Sequence, residues 1–270
     1  MNLRLTLSYD GTGFRGWARQ PGARTVEGTL AAALDRRYPG WTGLAVAGRT
    51  DTGVHALGQV VSVAVGAGPP AANAALALNA VLPPDVVVRS AVEVPESFNA
   101  RYSARARTYV YRVRVVRDPS ALDARRALHH RGVLDRAVLM TWAEALHGRH
   151  DFTAFTPTET EHRTFVRAVH HAAWHEVGDE LRFSIAASSF LRHQVRTLVG
   201  TMLLAARGER CAAPAELLAG VHRRLAGPTA PPHGLYLAGV RFAGEPNGVE
   251  LVGIPSSQAV FRAVPGWTQP

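Results

Sequence analysis

Leu3, Leu5, Leu7 and Tyr9 alternate with polar residues, the period-two pattern of a half-buried strand. Val26, Leu30, Ala33 and Leu34 then fall on one face of a helix. Two apolar runs, Leu44–Ala47 and Gln59–Val65, read as strands on either side of a loop of small residues. Ala71–Val81 predicts a second helix, and Val86, Val87, Val88, Val92 and Val94 a fourth strand. The order strand, helix, strand, strand, helix, strand is that of a ferredoxin-like unit.

The second half repeats the order. A long strand is predicted near Ser103–Val116, a helix near Asp135–Leu146, and two strands near Phe165–Val177 and Leu181–Ala187, with Gly178-Asp179 between them as a hairpin turn. A helix over Phe190–Ala206, a short one near Pro214–Val221 and a strand at Leu235–Phe242 complete it. The expected class is α+β, with two ferredoxin-like halves at 1–103 and 104–245 and a Pro- and Gly-rich tail at 246–270. Sequence identity between the halves is not evident, so the repeat rests on element order.

Composition narrows the class. With 270 residues, 47% of them hydrophobic, the chain can bury one large or two modest cores. No apolar run approaches the roughly 20 residues needed to cross a bilayer, and the opening Met1–Leu7 alternates rather than forming a leader's apolar block. Cys211 is the one cysteine, which excludes an intrachain disulfide and a thiolate metal cluster. A soluble cytoplasmic protein is expected. All 30 basic residues are arginine and the net charge is +9. The chain therefore has no lysine for Schiff-base or general-base chemistry. Arginine offers forked donors for phosphate and a flat face for bases, so the charge favours a nucleic-acid partner over a membrane or an acidic metabolite.

The stretch Ala47-Gly48-Arg49-Thr50-Asp51-Thr52-Gly53-Val54-His55-Ala56-Leu57-Gly58-Gln59-Val60 carries the sharpest chemical signal. It sets one carboxylate, Asp51, in a loop at a sheet edge, two positions after Arg49. A neighbouring guanidinium favours the ionised carboxylate, as a nucleophile or base requires. Taken alone, Arg-x-Asp also fits a glycine-rich turn holding an ion pair. Residues 101–117 interleave Arg101, Arg105, Arg107, Arg112, Arg114 and Arg117 with Tyr102, Tyr109 and Tyr111. Alternation sends Tyr109 and Tyr111 to one face and Arg112 and Arg114 to the other, which suits either an RNA-gripping strand or an ordinary one with a solvated arginine face. Asp10–Trp17 is a glycine loop carrying Arg15, without the spacing of a phosphate-binding loop. Arg192 and Arg196, four apart on the predicted helix, share a face, and Asp51 is a candidate anion for them. His171 and His175 share a strand face without an acidic or cysteine partner to complete a metal set. There is no Gly-x-Ser-x-Gly elbow and no second acid near Asp51, which disfavours a serine hydrolase and a paired-carboxylate glycosidase.

Several segments together resemble the tRNA pseudouridine synthase A family. They are Tyr9-Asp10-Gly11-Thr12 with Gly16-Trp17, Gly48–Asp51 with Gly53–Ala56 and Gly58–Val60, Asn79 with Leu82-Pro83 and Asp85, and Phe98–Arg101 with Ala104. Tyr109-Val110-Tyr111, Asp151-Phe152 with Phe155, Phe190 with Val195-Arg196 and Val199-Gly200, and Gly234–Leu237 follow in the family's order. The resemblance implies two ferredoxin-like halves whose sheets join through a central antiparallel sheet over a basic cleft. It implies isomerisation of uridine to pseudouridine at positions 38 to 40 of the tRNA anticodon stem-loop, without cofactor or metal, by a homodimer that binds tRNA across both subunits. It places the catalytic aspartate at Asp51 and substrate-binding residues at Tyr109, Arg49 and Arg196; Arg15, Arg105 and Arg107 are further candidate RNA contacts. Thr52, Ala18 and Thr197 depart from the family's usual Ala, Gln and Asn, which bears on local RNA contacts. A non-catalytic RNA-binding protein and a base-excising hydrolase are the competing readings.

Overall fold

The computed structural model describes residues 1–245; the expected tail at 246–270 lies outside the described residues. The described residues pack as two units, Met1–Arg107 with 236–245, and Thr108–Leu235.

The first unit runs β1 (Asn2–Tyr9), α1 (Val26–Arg37), β2 (Thr42–Val46), β3 (His55–Ala64), α2 (Ala71–Asn79) and β4 (Val86–Val94). Its strand order is β4-β1-β3-β2, with every one of these pairs antiparallel, the ferredoxin-like arrangement that the periodicity predicts. Leu3, Leu5 and Leu7 of β1 are fully buried, as are Leu30 and Leu34 of α1 and Leu78 of α2, so alternation in the strand meets the 3.6-residue stripe of the helices. Thr25 caps α1 by accepting the Gly28 amide at 3.2 Å. As the last residue of α2, Asn79 exchanges two 2.8 Å hydrogen bonds with the Val88 backbone and so covers part of the outer edge of β4.

One edge of β3 is shared along its length. Its end pairs with β2 (Ala45↔Ser62, Val46↔Val61) and its start pairs in parallel with the last strand (Tyr236↔His55, Leu237↔Ala56). The loop that carries Asp51 therefore leaves the sheet between two partners of one strand. A small apolar cluster of Ala47, Val60, Ala100 and Phe242 lies beneath its root.

The second unit comprises most of β5 (Ala104–Val115), then β6 (Leu128–His130), α3 (Arg136–Ala145), β7 (Gly148–Asp151), β8 (Val166–Val177), β9 (Glu180–Ala187), α4 (Gln194–Ala206) and α5 (Pro214–Leu217); β10 (Leu235–Phe242) then belongs, from Tyr236, to the first unit. The second unit's strands are ordered β5-β9-β8-β7, with β6 parallel to β5. Trp174 of β8 lies 5.2 Å from Phe183, and its indole N–H points at the Met202 sulfur of α4, 3.4 Å away.

Three sequence expectations change here. The short strands β6 and β7 were not foreseen. The Phe190–Ala206 helix begins only at Gln194, because His193 adopts the left-handed conformation at φ 61°. Arg192 therefore precedes the helix and does not share a helical face with Arg196. Finally, the arginine face of β5 is not solvated. Arg112 is buried and grips Glu180 through Nε at 2.7 Å and Nη2 at 2.8 Å, while Arg182 donates to the same carboxylate at 2.7 Å. Burial pushes the Glu180 carboxyl up, but the two guanidiniums outweigh it and hold the group below its ordinary range. Arg114 pairs with Asp123 and Asp179 beside them.

Candidate active site

Residues 47–54 form the Asp51 loop, and other parts of the first unit hold nearly every stretch of its backbone. The Trp17 amide donates to the Thr50 carbonyl at 3.0 Å, and Val54 donates back to the Asp51 carbonyl at 3.1 Å, closing a turn over Gly53. The glycine loop at 11–16 lies directly on this turn. A Cβ at Gly11 would stand 2.0 Å from the Val54 carbonyl oxygen. One at Gly16, whose φ is +89°, would stand 2.9 Å from the Thr50 oxygen and 3.2 Å from the Thr52 nitrogen. Only glycine permits such approach, and at Gly16 only glycine takes the backbone angle without strain.

Beneath the loop, the Tyr9 hydroxyl meets Thr50 Oγ1 at 2.7 Å, and Gln59 Nε2 donates to the Gly48 carbonyl at 2.6 Å and to the Tyr9 hydroxyl at 3.3 Å. Burial pushes the Tyr9 phenol up to about 12, against the pull of its bonds to Thr50 and Gln59. It is a neutral strut at physiological pH. His55, fully enclosed at the start of β3, accepts the Gly11 amide at Nδ1 (3.1 Å) and stacks on Tyr236 with ring centres 4.7 Å apart. At the root, Arg107 donates through Nε and Nη2 to the Ala47 carbonyl at 3.0 and 2.8 Å, and to the carbonyls of Ala104 and Arg101 at 3.1 and 2.8 Å. Asp51 is half-buried at the tip, and Arg49 is exposed. A carboxylate whose supporting backbone is fixed in this way is suited to attack or abstract at one defined position.

In the second unit, Tyr109 of β5 is buried and meets the edge of Phe190 at 5.0 Å with an interplanar angle of 85°. Arg196 sits in the first turn of α4. The Arg196 Nε donates to the Ala230 carbonyl at 2.8 Å, while the Ala230 amide donates to the Arg196 carbonyl at 3.0 Å. Three more contacts seat the 228–234 segment. Thr197 Oγ1 meets Thr229 Oγ1 at 3.1 Å, a Cβ at Gly200 would fall 1.8 Å from the Pro228 oxygen, and the Tyr111 hydroxyl donates to the Pro231 carbonyl at 2.8 Å. Thr197, a departure from the resembled family, thus fastens the segment that orients Arg196. Burial pushes the Tyr111 phenol well up, with Arg196 pulling the other way.

Among the remaining candidates, Arg15 and Arg105 are exposed, and Arg107 is the clamp just described. Among the described residues, no group of three or more His, Cys, Asp or Glu side chains is placed to hold a metal ion, and no helix is long and apolar enough to cross a membrane. Sequence reasoning missed the Tyr9–Thr50–Gln59 support. All three residues lie in quoted motifs, but alternation marks Tyr9 only as a core position.

The family model described as "tRNA pseudouridine synthase" matches residues 6–103 and 142–243. Among curated proteins, the tRNA pseudouridine synthase A of Exiguobacterium sp. is 37% identical over 241 residues, 89% of this chain and 97% of its own. That of Rhodospirillum rubrum is 41% identical over 247 residues, 91% of this chain and 89% of its own, and that of Halalkalibacterium halodurans 40% identical over 235 residues, 86% and 89%. With matches of this extent on both units, the chain belongs to the tRNA pseudouridine synthase family.

Proposed function

We propose that this chain isomerises uridine to pseudouridine at positions 38 to 40 of the tRNA anticodon stem-loop, with Asp51 as its catalytic carboxylate. The N1–C1′ bond breaks and a C5–C1′ bond forms; C5 loses a proton and N1 takes one up. Atoms balance within the nucleoside, so the reaction consumes no co-reactant and the chemistry asks for no cofactor. Attack of Asp51 on C1′, and removal of a proton from the adjacent sugar carbon, both start from the ionised carboxylate. The observation that carries the reading is the support of the Asp51 loop by Trp17, Gln59 and Arg107, on a chain with this family membership.

The target base must leave its stack, at a cost of a few kcal/mol. Arg49 in the first unit, and Tyr109 and Arg196 in the second, are each proposed as substrate-binding residues, the ring by stacking and the guanidiniums by contact with phosphate. Arg15 and Arg105 are proposed as phosphate contacts further along the RNA. Arg107 acts through the loop it holds. The protein is proposed to work in the cytoplasm as a homodimer, which light scattering of the purified chain would check.

Asp51→Asn keeps size and removes the charge. It is expected to bind tRNA within about twofold of wild type and to lose product by about a thousandfold or more. Nucleoside analysis of treated tRNA decides. Normal pseudouridine from Asp51→Asn would reject the assignment, and release of free uracil by the wild type would identify a hydrolase instead.

A further inference from the structure

Tyr102 is 77% exposed, and among the described residues no other Phe, Trp or Tyr belongs to the exposed large hydrophobics. It does not hang on a loose loop. Asn99 Oδ1 accepts the amides of Arg101 and Tyr102 at 3.0 and 3.2 Å, the Ser103 amide donates to the Asn99 carbonyl at 2.8 Å, and the Ala100 amide donates to Ser62 of β3 at 3.0 Å. The turn is thus fixed from within and from the sheet below. The Arg101 guanidinium lies over one face of the Tyr102 ring, 5.5 Å from the centroid, and Arg105 is exposed three residues on from Tyr102. Arg107 then joins this turn to the candidate catalytic loop, since one guanidinium donates to both the Arg101 and the Ala47 carbonyls, each at 2.8 Å.

A rigid turn that presents one flat aromatic face to solvent, flanked by two exposed guanidiniums, has the chemistry of a nucleotide seat. The ring offers a π-face that any base can stack on, Arg101 pre-sets its orientation, and the guanidiniums meet the phosphates on either side. We propose that Tyr102 stacks an unpaired nucleotide of the substrate RNA outside the reaction centre, with Arg101 and Arg105 on the adjoining phosphates. The turn would thereby set the register of the RNA relative to Asp51. This rests on the reading of the chain as an RNA-modifying enzyme and adds a second anchoring point to it. Because stacking is indifferent to base identity, the seat selects for an unpaired nucleotide rather than for a sequence.

The test uses the full chain and an anticodon stem-loop RNA. Tyr102→Ala is expected to weaken binding about tenfold by fluorescence anisotropy and to raise KM in step, whereas Tyr102→Phe, which keeps the ring, binds as wild type. The exposed position makes unchanged thermal unfolding the expectation for both variants. 2-Aminopurine placed at successive unpaired positions should be quenched at one of them by wild type and by Tyr102→Phe but not by Tyr102→Ala. Tyr102→Ala binding as tightly as wild type, or quenching that survives it, overturns the proposal. The two readings fail separately. A wild-type protein that makes no pseudouridine but shows Tyr102-dependent quenching sinks the catalytic reading alone, and normal product with Tyr102-independent binding sinks this one alone.

Discussion

The Tyr9 hydroxyl does more for the candidate site than its core position suggests. It joins Thr50, the neighbour of Asp51, to Gln59 of β3, which also holds Gly48, so the arm of the loop that leads to Asp51 is tied to β3 at two points. Tyr9→Phe keeps the packing and removes both bonds. A loss of about 1–2 kcal/mol of stability is expected in urea unfolding, with Thr50 Oγ1 losing its Tyr9 partner in a buried setting. Single-turnover rates should fall roughly three- to tenfold while tRNA affinity holds, because the carboxylate's support loosens without touching the RNA surface. An unchanged rate would show that the loop does not depend on the strut. From the sequence, Asp51 stands out as a candidate because a whole motif surrounds it. The strut does not, since its partners stand 41 and 50 positions away and alternation records only that Tyr9 points inward.

At the scale of elements, period and turn chemistry gave the longer helices and strands to within a few residues. What they could not give has local causes. Leu128-His129-His130 and Gly148-Arg149-His150-Asp151 are too short and too polar to show a period, and become strands only because β5 and β8 offer them edges. The start of α4 was hidden because an apolar run does not reveal a left-handed residue at His193. The polar face of the second unit's sheet was also hidden, since Arg112 looks solvated until Glu180 is placed beside it. That sheet carries a testable pH dependence. His171 of β8 lies within 2.9 Å of Ser184 Oγ, stacks on His175 with ring centres 6.5 Å apart, and faces His147 edge-on at 6.3 Å. Burial, then repulsion from His147 and His175, lowers its pKa to about 4. A histidine depressed on folding stays neutral while the unfolded chain takes up a proton below about 6.5. Stability is therefore full above pH 6.5 and is lost as pH falls towards 4. With solvent screening allowed for on a partly exposed ring, the loss is on the order of 2 kcal/mol. Urea midpoints at pH 7.5, 5.5 and 4.5 should fall for wild type and fall less for His171→Asn; equal slopes would remove His171 from the account.

For the whole molecule, a net charge of +9 pointed to nucleic acid, and family membership supports it, but total charge does not say which arginines meet RNA. Many are engaged within the protein. Arg112 and Arg182 hold Glu180, Arg24 holds Asp85 at 2.7 Å, and Arg136 holds Glu176 at 3.0 Å. An arginine already paired with a carboxylate releases little condensed counterion from RNA, whereas an exposed one at a phosphate releases most of one ion. The salt dependence of tRNA binding should then count the exposed set. If about six phosphates are neutralised, log K falls against log salt with a slope of about −4 to −5. Arg105→Gln should reduce that slope by about 0.7 to 0.9, weakening all RNA sequences alike. Arg136→Gln changes the formal charge by the same amount and should leave the slope where it was, because its guanidinium belongs to Glu176. Anisotropy titrations between 50 and 300 mM KCl compare the two directly. Equal effects from both would mean that the molecule attracts RNA by net charge alone, and the division between structural and RNA-facing arginines would be wrong.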